Sequence, residues 1–260
     1  MREKTVIVQI QNAIAKITLN RPASFNSFNN ELVNDLLEAL KEVKSNDEVR
    51  VAILTGNGKA FSAGGDLFYL EQLNNPIEAR NFIAKAGELA TFIMNIEKPI
   101  IAMVNGVAAG AGFNIALACD IIYCSKAAKF TQSFVKVGLV PDCGGLFLLP
   151  RVVGLHKAKE LMFTADIIDA ERAFKMDIVN CVLEENELEE ATYKFAQRLA
   201  DSAPVALGSM KKILNKTYEL SLESITEIES NIQTVCMQTI DHKEGVAAFK
   251  EKRKPNFKGF

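Results

Sequence analysis

Val6, Val8 and Ile10 alternate with polar residues, and Ile17 and Leu19 do so again, with Gln11-Asn12 between the two runs. A period of two on both sides of a short polar break predicts an antiparallel hairpin. Asn29 or Asn30 is placed to cap a helix that carries Leu32, Val33, Leu36, Leu37, Leu40 and Val43 on one face. Residues 51–55 form a short apolar run, read as a buried strand ended by Gly56-Asn-Gly58. Phe82, Ile83, Ala86, Leu89, Ala90 and Ile93 keep helical spacing until Lys98-Pro99 stops them. Residues 99–104 and 121–124 are again strand-like, on either side of a helix opened by a glycine-rich turn. Two strand–turn–helix units therefore repeat, with glycine-rich connections at 56–66 and 105–112. Short strands and turns are expected from Asp120 to about Val182. From Glu187 onward the chain reads as helical, with a break at Ala203-Pro204. The fold class is α/β: a mixed core over residues 1–200 and a helical region over 201–260. No low-complexity linker separates them, so the helical region is expected to pack on the core or on another subunit.

Composition narrows the function. A chain of 260 residues can bury a substantial core, and 48% hydrophobic with 24% charged residues is ordinary for a globular protein. A net charge of -2 argues against a nucleic-acid partner, which selects for a basic face. The start, Met1-Arg-Glu-Lys-Thr-Val-Ile-Val, has no apolar signal core. No stretch approaches the roughly 18 uninterrupted apolar residues of a membrane span, so no membrane partner is expected. The five cysteines form no CxxC pair, which fits reduced thiols and a cytoplasmic setting. With only His156 and His242, no metal site is expected.

The chemistry concentrates in two turns. Asn105-Gly-Val-Ala-Ala-Gly-Ala-Gly112 opens a helix, and Val140-Pro-Asp-Cys-Gly-Gly145 carries a lone carboxylate, Asp142. Glycine-rich turns bring backbone N–H groups against a ligand, and a helix N-terminus adds partial positive charge. Backbone donors with one carboxylate can stabilise an enolate and move its proton. A further turn, Gly56-Asn-Gly-Lys-Ala-Phe-Ser-Ala-Gly-Gly-Asp66, lacks the glycine and Ser/Thr spacing of a phosphate loop. It also has Ala60 where a nucleophile elbow around Ser62 needs glycine. What remains is a loop expected to expose the amides of Ala63, Gly64 and Gly65. Asp142 has a simpler reading as the cap of a helix starting near Gly144, and Asp120 reads as a structural carboxylate. Arg151 either orients loops or lies on the surface.

Taken together, Ile17-Thr-Leu-Asn-Arg-Pro22, Gly58-Lys-Ala-Phe-Ser-Ala-Gly-Gly-Asp66, Lys98-Pro-Ile-Ile-Ala-Met-Val-Asn-Gly106, Cys119-Asp-Ile-Ile-Tyr123 and Glu244-Gly-Val-Ala-Ala-Phe-Lys-Glu-Lys252 resemble the enoyl-CoA hydratase/isomerase (crotonase) superfamily. The order of motifs covers the chain nearly end to end. The resemblance implies a spiral of repeated ββα units whose carboxy-terminal helices build homotrimers, often paired into homohexamers. It implies an acyl-CoA thioester substrate, with no cofactor besides the coenzyme A that the substrate carries. The family's two oxyanion-hole amides fall on Gly65 and Ala111. Ala23, Phe25, Ala63, Asp66 and Leu67 fall along the CoA path, and Gly110 and Phe134 at the substrate. Lys252 falls within reach of a CoA phosphate on its own or a neighbouring subunit, or is a solvated surface lysine. Phe25, Phe28, Phe68, Phe134 and Phe147 are candidates for an apolar acyl pocket or for the core.

The family's hydratases place glutamates where this chain has Asn114 and Phe134, which implies that simple hydration is not its reaction. Asn114 then orients a substrate or backbone group, or merely continues the helix. Lys136-Val-Gly-Leu-Val-Pro-Asp-Cys-Gly-Gly145 and Leu149-Pro-Arg-Val-Val-Gly154 are most similar to 1,2-epoxyphenylacetyl-CoA isomerase-like members of the family, known from phenylacetate degradation. That similarity implies Asp142 as the acid/base of a double-bond isomerase. A hydratase with a non-standard site and a catalytically silent acyl-CoA binder are the alternatives.

Overall fold

A computed structural model describes residues 4–260, so Met1, Arg2 and Glu3 of the segment read for a signal core lie outside it. The hairpin is formed by β1 (Val6–Gln11) and β2 (Ile14–Leu19), with Val8 opposite Ile17. Its turn is Asn12-Ala13, one residue later than the polar break suggested, and both have left-handed φ of 52° and 63°. That backbone matches the twist of a tight hairpin, which is why Gln11 still pairs with Ile14. Helix α1 (Asn30–Ser45) starts from Asn29, whose side chain accepts a 2.9 Å bond from the Leu32 amide.

Three ββα units follow. The first is β3 (Val51–Gly56), β4 (Ala60–Ser62) and the short α2 (Leu67–Leu70), after which α3 (Pro76–Asn95) crosses back. The second is β5 (Ile100–Val104), β6 (Val107–Ala109) and α4 (Ala111–Ala118). The third is β7 (Ile121–Ser125), β8 (Lys129–Thr131) and α5 (Gly145–Thr164). In each unit the first strand joins a six-stranded sheet and the second a four-stranded one. The chain completes these sheets with β9 (Ile168–Asp169) and β10 (Cys181–Leu183), separated by α6 (Ala170–Lys175). The strand orders are β1-β2-β3-β5-β7-β10 and β4-β6-β8-β9. From β2 to β10 the large sheet is parallel throughout.

Helix α5 begins where a helix near Gly144 was expected, but it runs on to Thr164, which corrects the expectation of short strands and turns up to Val182. Pro150 and Gly154 inside it mask the helical pattern, and Gly154, at φ 76°, breaks the helix into two segments.

The all-apolar runs of β3 and β5 reflect burial on both faces. Ala52 and Leu54 face the main core with Ile17, Leu36, Phe61, Phe113 and Phe130. Val51 and Ile53, with Ile101 and Met103, face Leu188, Ala196 and Ala200 of α7 (Glu185–Ala200). Each buried valine, leucine, isoleucine, methionine or phenylalanine among them contributes about 1.5–3 kcal/mol. The chain ends in α8 (Pro204–Leu214), α9 (Leu222–Gln238) and α10 (Ile240–Glu251). Asp120 and Lys211 tie α8 to the core: their side chains meet at 2.7 Å, and Asp120 also accepts the Ile100 amide at 2.7 Å. Burial is the largest influence on Asp120 and raises its pKa, with the Lys211 charge opposing. Asp120 is thus structural, as its position between helix and strand suggested.

Candidate active site

The site follows from how the glycine-rich turns dock. Phe28 donates its amide to Gly64 O at 2.7 Å and accepts the Asp66 amide at 3.0 Å. In this parallel bridge both bonds go to the residues flanking Gly65, which turns its own N–H to the opposite side. Gly64 has φ +91°, and a Cβ there would stand 2.7 Å from Ala109 O and 3.2 Å from Ala111 N. The first loop therefore lies backbone against backbone on the turn that opens α4. Ala111 is the first residue of that helix, and its amide is one of the donors a helix cannot satisfy internally. Gly65 and Ala111 thus present unspent N–H groups from adjoining loops. Ala63 and Gly64, also expected to expose their amides, do not: Ala63 donates to Phe25 O at 2.9 Å and Gly64 to Ser62 Oγ at 3.2 Å.

Beside these loops opens a cavity of about 720 Å³. Ala23, Phe25, Ala63, Gly65, Asp66, Leu67, Gly110, Phe134 and Asp142 all line it, bringing together nearly every residue singled out in the sequence. Ala111 is 3% exposed and sits just behind this lining. Phe68 also lines the cavity, whereas Phe28 is core and Phe147 stacks under the Arg151 guanidinium at 3.2 Å. Arg151, His156 and His242 lie on the surface, and Lys252 caps α10 outside the cavity lining of its own chain. Among the described residues no group of three or more His, Cys, Asp or Glu could hold a metal ion. All five cysteines are free, and among the described residues no helix is long and apolar enough to cross a membrane.

Asp142 does not cap α5. The cap residue is Gly144, which makes no side-chain bond, and the Asp142 contribution is its backbone carbonyl, accepting the Gly145 amide at 2.9 Å. The carboxylate faces the cavity without a counter-ion among the described residues, with Oδ1 buried and unpartnered. Burial pushes its pKa above the usual aspartate range, only partly opposed by bonds from Cys143 and the Asp142 backbone. The other carboxylate in the lining, Asp66, is spent: Arg21 holds Oδ2 at 3.0 and 3.1 Å, and Oδ1 caps α2. Asn114 is fully buried, and its amide donates to Asp142 O at 2.9 Å, so of its possible roles the structure selects orienting the backbone.

Sequence reasoning missed Arg21, Ile83, Lys136, Val137 and Leu139 in the lining. Arg21 lies within a motif the resemblance used, but its partner Asp66 is 45 residues away. Val137 and Leu139 belong to an apolar run that looks like core. They flank Gly138, whose left-handed φ of 70° turns them onto the cavity wall, 50% and 48% exposed.

Residues 9–259 match the family model described as enoyl-CoA hydratase/isomerase. The chain belongs to the enoyl-CoA hydratase/isomerase family. It is 34% identical to 1,2-epoxyphenylacetyl-CoA isomerase of Escherichia coli, over 98% of both chains. It is 36% identical to crotonyl-CoA hydratase of Syntrophomonas wolfei, over 99% of both. Trans-2-decenoyl-[acyl-carrier-protein] isomerase of Streptococcus mutans is 33% identical, over 98% of both. An enoyl-CoA hydratase structure from Bacillus anthracis superposes with a TM-score of 0.95 at 31% identity, over 98% of this chain and 100% of that one. The crotonase fold expected from the motifs is the fold observed. Both isomerases and hydratases stand at similar identity, so the reaction has to be read from the site.

Proposed function

We propose that this member of the enoyl-CoA hydratase/isomerase family is an acyl-CoA double-bond isomerase that uses Asp142 as its acid/base. One observation carries the reading: Asp142 is the single carboxylate in the described cavity lining that no cation neutralises. The two glutamates of the family's hydratases are replaced by Asn114, committed to a backbone carbonyl, and by Phe134, an apolar wall. One base suffices for an isomerase. With the thioester oxygen held by the Gly65 and Ala111 amides, Asp142 takes a proton from C2 of a 3-enoyl thioester. The electron pair delocalises into a dienolate, and the same carboxyl returns the proton at C4, leaving the conjugated 2-enoyl thioester. Two fixed donors on the enolate oxygen need little reorganisation, and losing one costs about 3 kcal/mol of barrier. The raised Asp142 pKa makes it a better base for a weakly acidic C–H.

Ala23, Phe25, Ala63, Asp66 and Leu67 line the CoA path in this reading, and Gly110 and Phe134 the end that takes the acyl group, linear or ring-derived. Lys252 meets a CoA phosphate. Apolar side chains such as Leu214 and Phe249, 65% and 86% exposed on α8 and α10, support assembly into a homotrimer or homohexamer through residues 201–260. Asp142→Asn tests the assignment: turnover of a 3-enoyl-CoA is lost while CoA-thioester binding, followed by calorimetry, persists. Unchanged turnover would overturn it.

A further inference from the structure

Asn114 and Gln132 form a buried chain of amides under the turn that carries Asp142. Gln132 Nε2 donates to Asn114 Oδ1 at 2.7 Å, and Asn114 Nδ2 donates to Asp142 O at 2.9 Å. The direction of this chain is forced from one end. The Asp142 carbonyl only accepts, so Asn114 must offer its NH2, which leaves its oxygen toward Gln132 and requires the Gln132 NH2 in turn. The last acceptor, Gln132 Oε1, is left buried without a partner, although Gln132 is 1% exposed. An orphaned buried acceptor is retained only where the rest of the chain compensates for it.

The turn above needs holding. Cys143 and Gly144 both have left-handed backbones, at φ 46° and 79°, and a cysteine adopts that conformation only under constraint. A Cβ on Gly145 would stand 2.3 Å from Asn114 Nδ2, so the turn is seated directly on the Asn114 amide. From the other side the Cys143 thiol, with one hydrogen to give, stands between the Asp142 carboxylate and Ala86 O on α3, the latter at 3.4 Å.

We infer that Asn114 and Gln132 are positioning residues that hold the Asp142 carboxyl in the cavity, Gln132 acting through Asn114. This rests on the reading of Asp142 as the acid/base. Asn114→Asp keeps size but places an oxygen against the Asp142 carbonyl. Gln132→Met keeps length but frees Asn114 to turn over.

The test measures 3-enoyl-CoA isomerisation by both single variants, the double variant and Asp142→Asn, with thermal melts of each. A misplaced base loses on the order of 10²-fold in kcat for Asn114→Asp and about tenfold for Gln132→Met. KM stays within about twofold, because neither residue lines the cavity. Because Gln132 works through Asn114, the double variant is no slower than Asn114→Asp alone. In Gln132→Met the acid limb of the rate profile moves to lower pH as the carboxyl gains access to water. Singles at wild-type kcat, or losses that multiply in the double, overturn the inference. If Asn114→Asp does not fold, Gln132→Met decides by its kcat and acid limb. Should Asp142→Asn remain active, the fault lies in the assignment of Asp142; should it be dead while both singles run normally, positioning alone fails.

Discussion

Asp142→Asn should make the protein more stable while it abolishes turnover. The wild-type carboxyl is buried with Oδ1 unpartnered, and burial holds its pKa above the ordinary aspartate value. A carboxyl whose folded pKa is raised is disfavoured in its charged form by folding. Its ionisation therefore subtracts stability once pH climbs past the unfolded value, and the penalty is complete above the folded one. Below about pH 3.9 both states are protonated and the penalty vanishes. An asparagine of the same shape carries no charge at any of these pH values. Holding a carboxylate charged in such a site costs on the order of 1–3 kcal/mol that a neutral amide escapes, and for a chain of this size each kcal/mol moves the midpoint by roughly 2–4 °C. Thermal melts at neutral pH should place the variant roughly 2–12 °C above wild type, and the gap should close as the buffer approaches the ordinary aspartate pKa. A variant that melts below wild type at neutral pH, or a gap independent of pH, would show that the carboxylate is satisfied and not poised.

Three further outcomes follow from the same geometry. Gly64→Ala puts a Cβ 2.7 Å from Ala109 O, so the loops must part; kcat should fall on the order of 10²-fold at near-constant KM by steady-state kinetics. Lys211→Met strands the Asp120 carboxylate, which should cost about 3 kcal/mol in urea unfolding while activity per folded molecule is retained. The acid limb of kcat/KM should have its midpoint above the ordinary carboxylate range because Asp142 is raised by burial; a profile flat down to about pH 4 would contradict that.

Elements whose side chains obey one period were readable from the chain itself. The β1–β2 hairpin, α1 with its Asn29 cap and α3 before Lys98-Pro99 declared themselves by spacing. Helix α5 declared only its start near Gly144, because Pro150 and Gly154 interrupt the rest of it. The candidate site was legible where glycine marks a backbone approach, as at Gly64, Gly65 and Gly110. It was hidden where the partner is distant: Arg21 with Asp66, and Gln132 with Asn114 and Asp142, are pairings that no local pattern reveals. Asp142 as a helix cap was a fair expectation by position, but Gly144 takes that place and the Asp142 carboxyl faces the cavity instead.

The most direct test of a single-base isomerase is trans-3-hexenoyl-CoA incubated with the wild-type protein in D2O, followed by absorbance and mass spectrometry. The account predicts rapid formation of conjugated 2-hexenoyl-CoA with less than one deuterium at C4, because a buried Asp142 returns much of the hydrogen it removed from C2. No conjugated product, or a 3-hydroxyacyl product formed by addition of water, would contradict it.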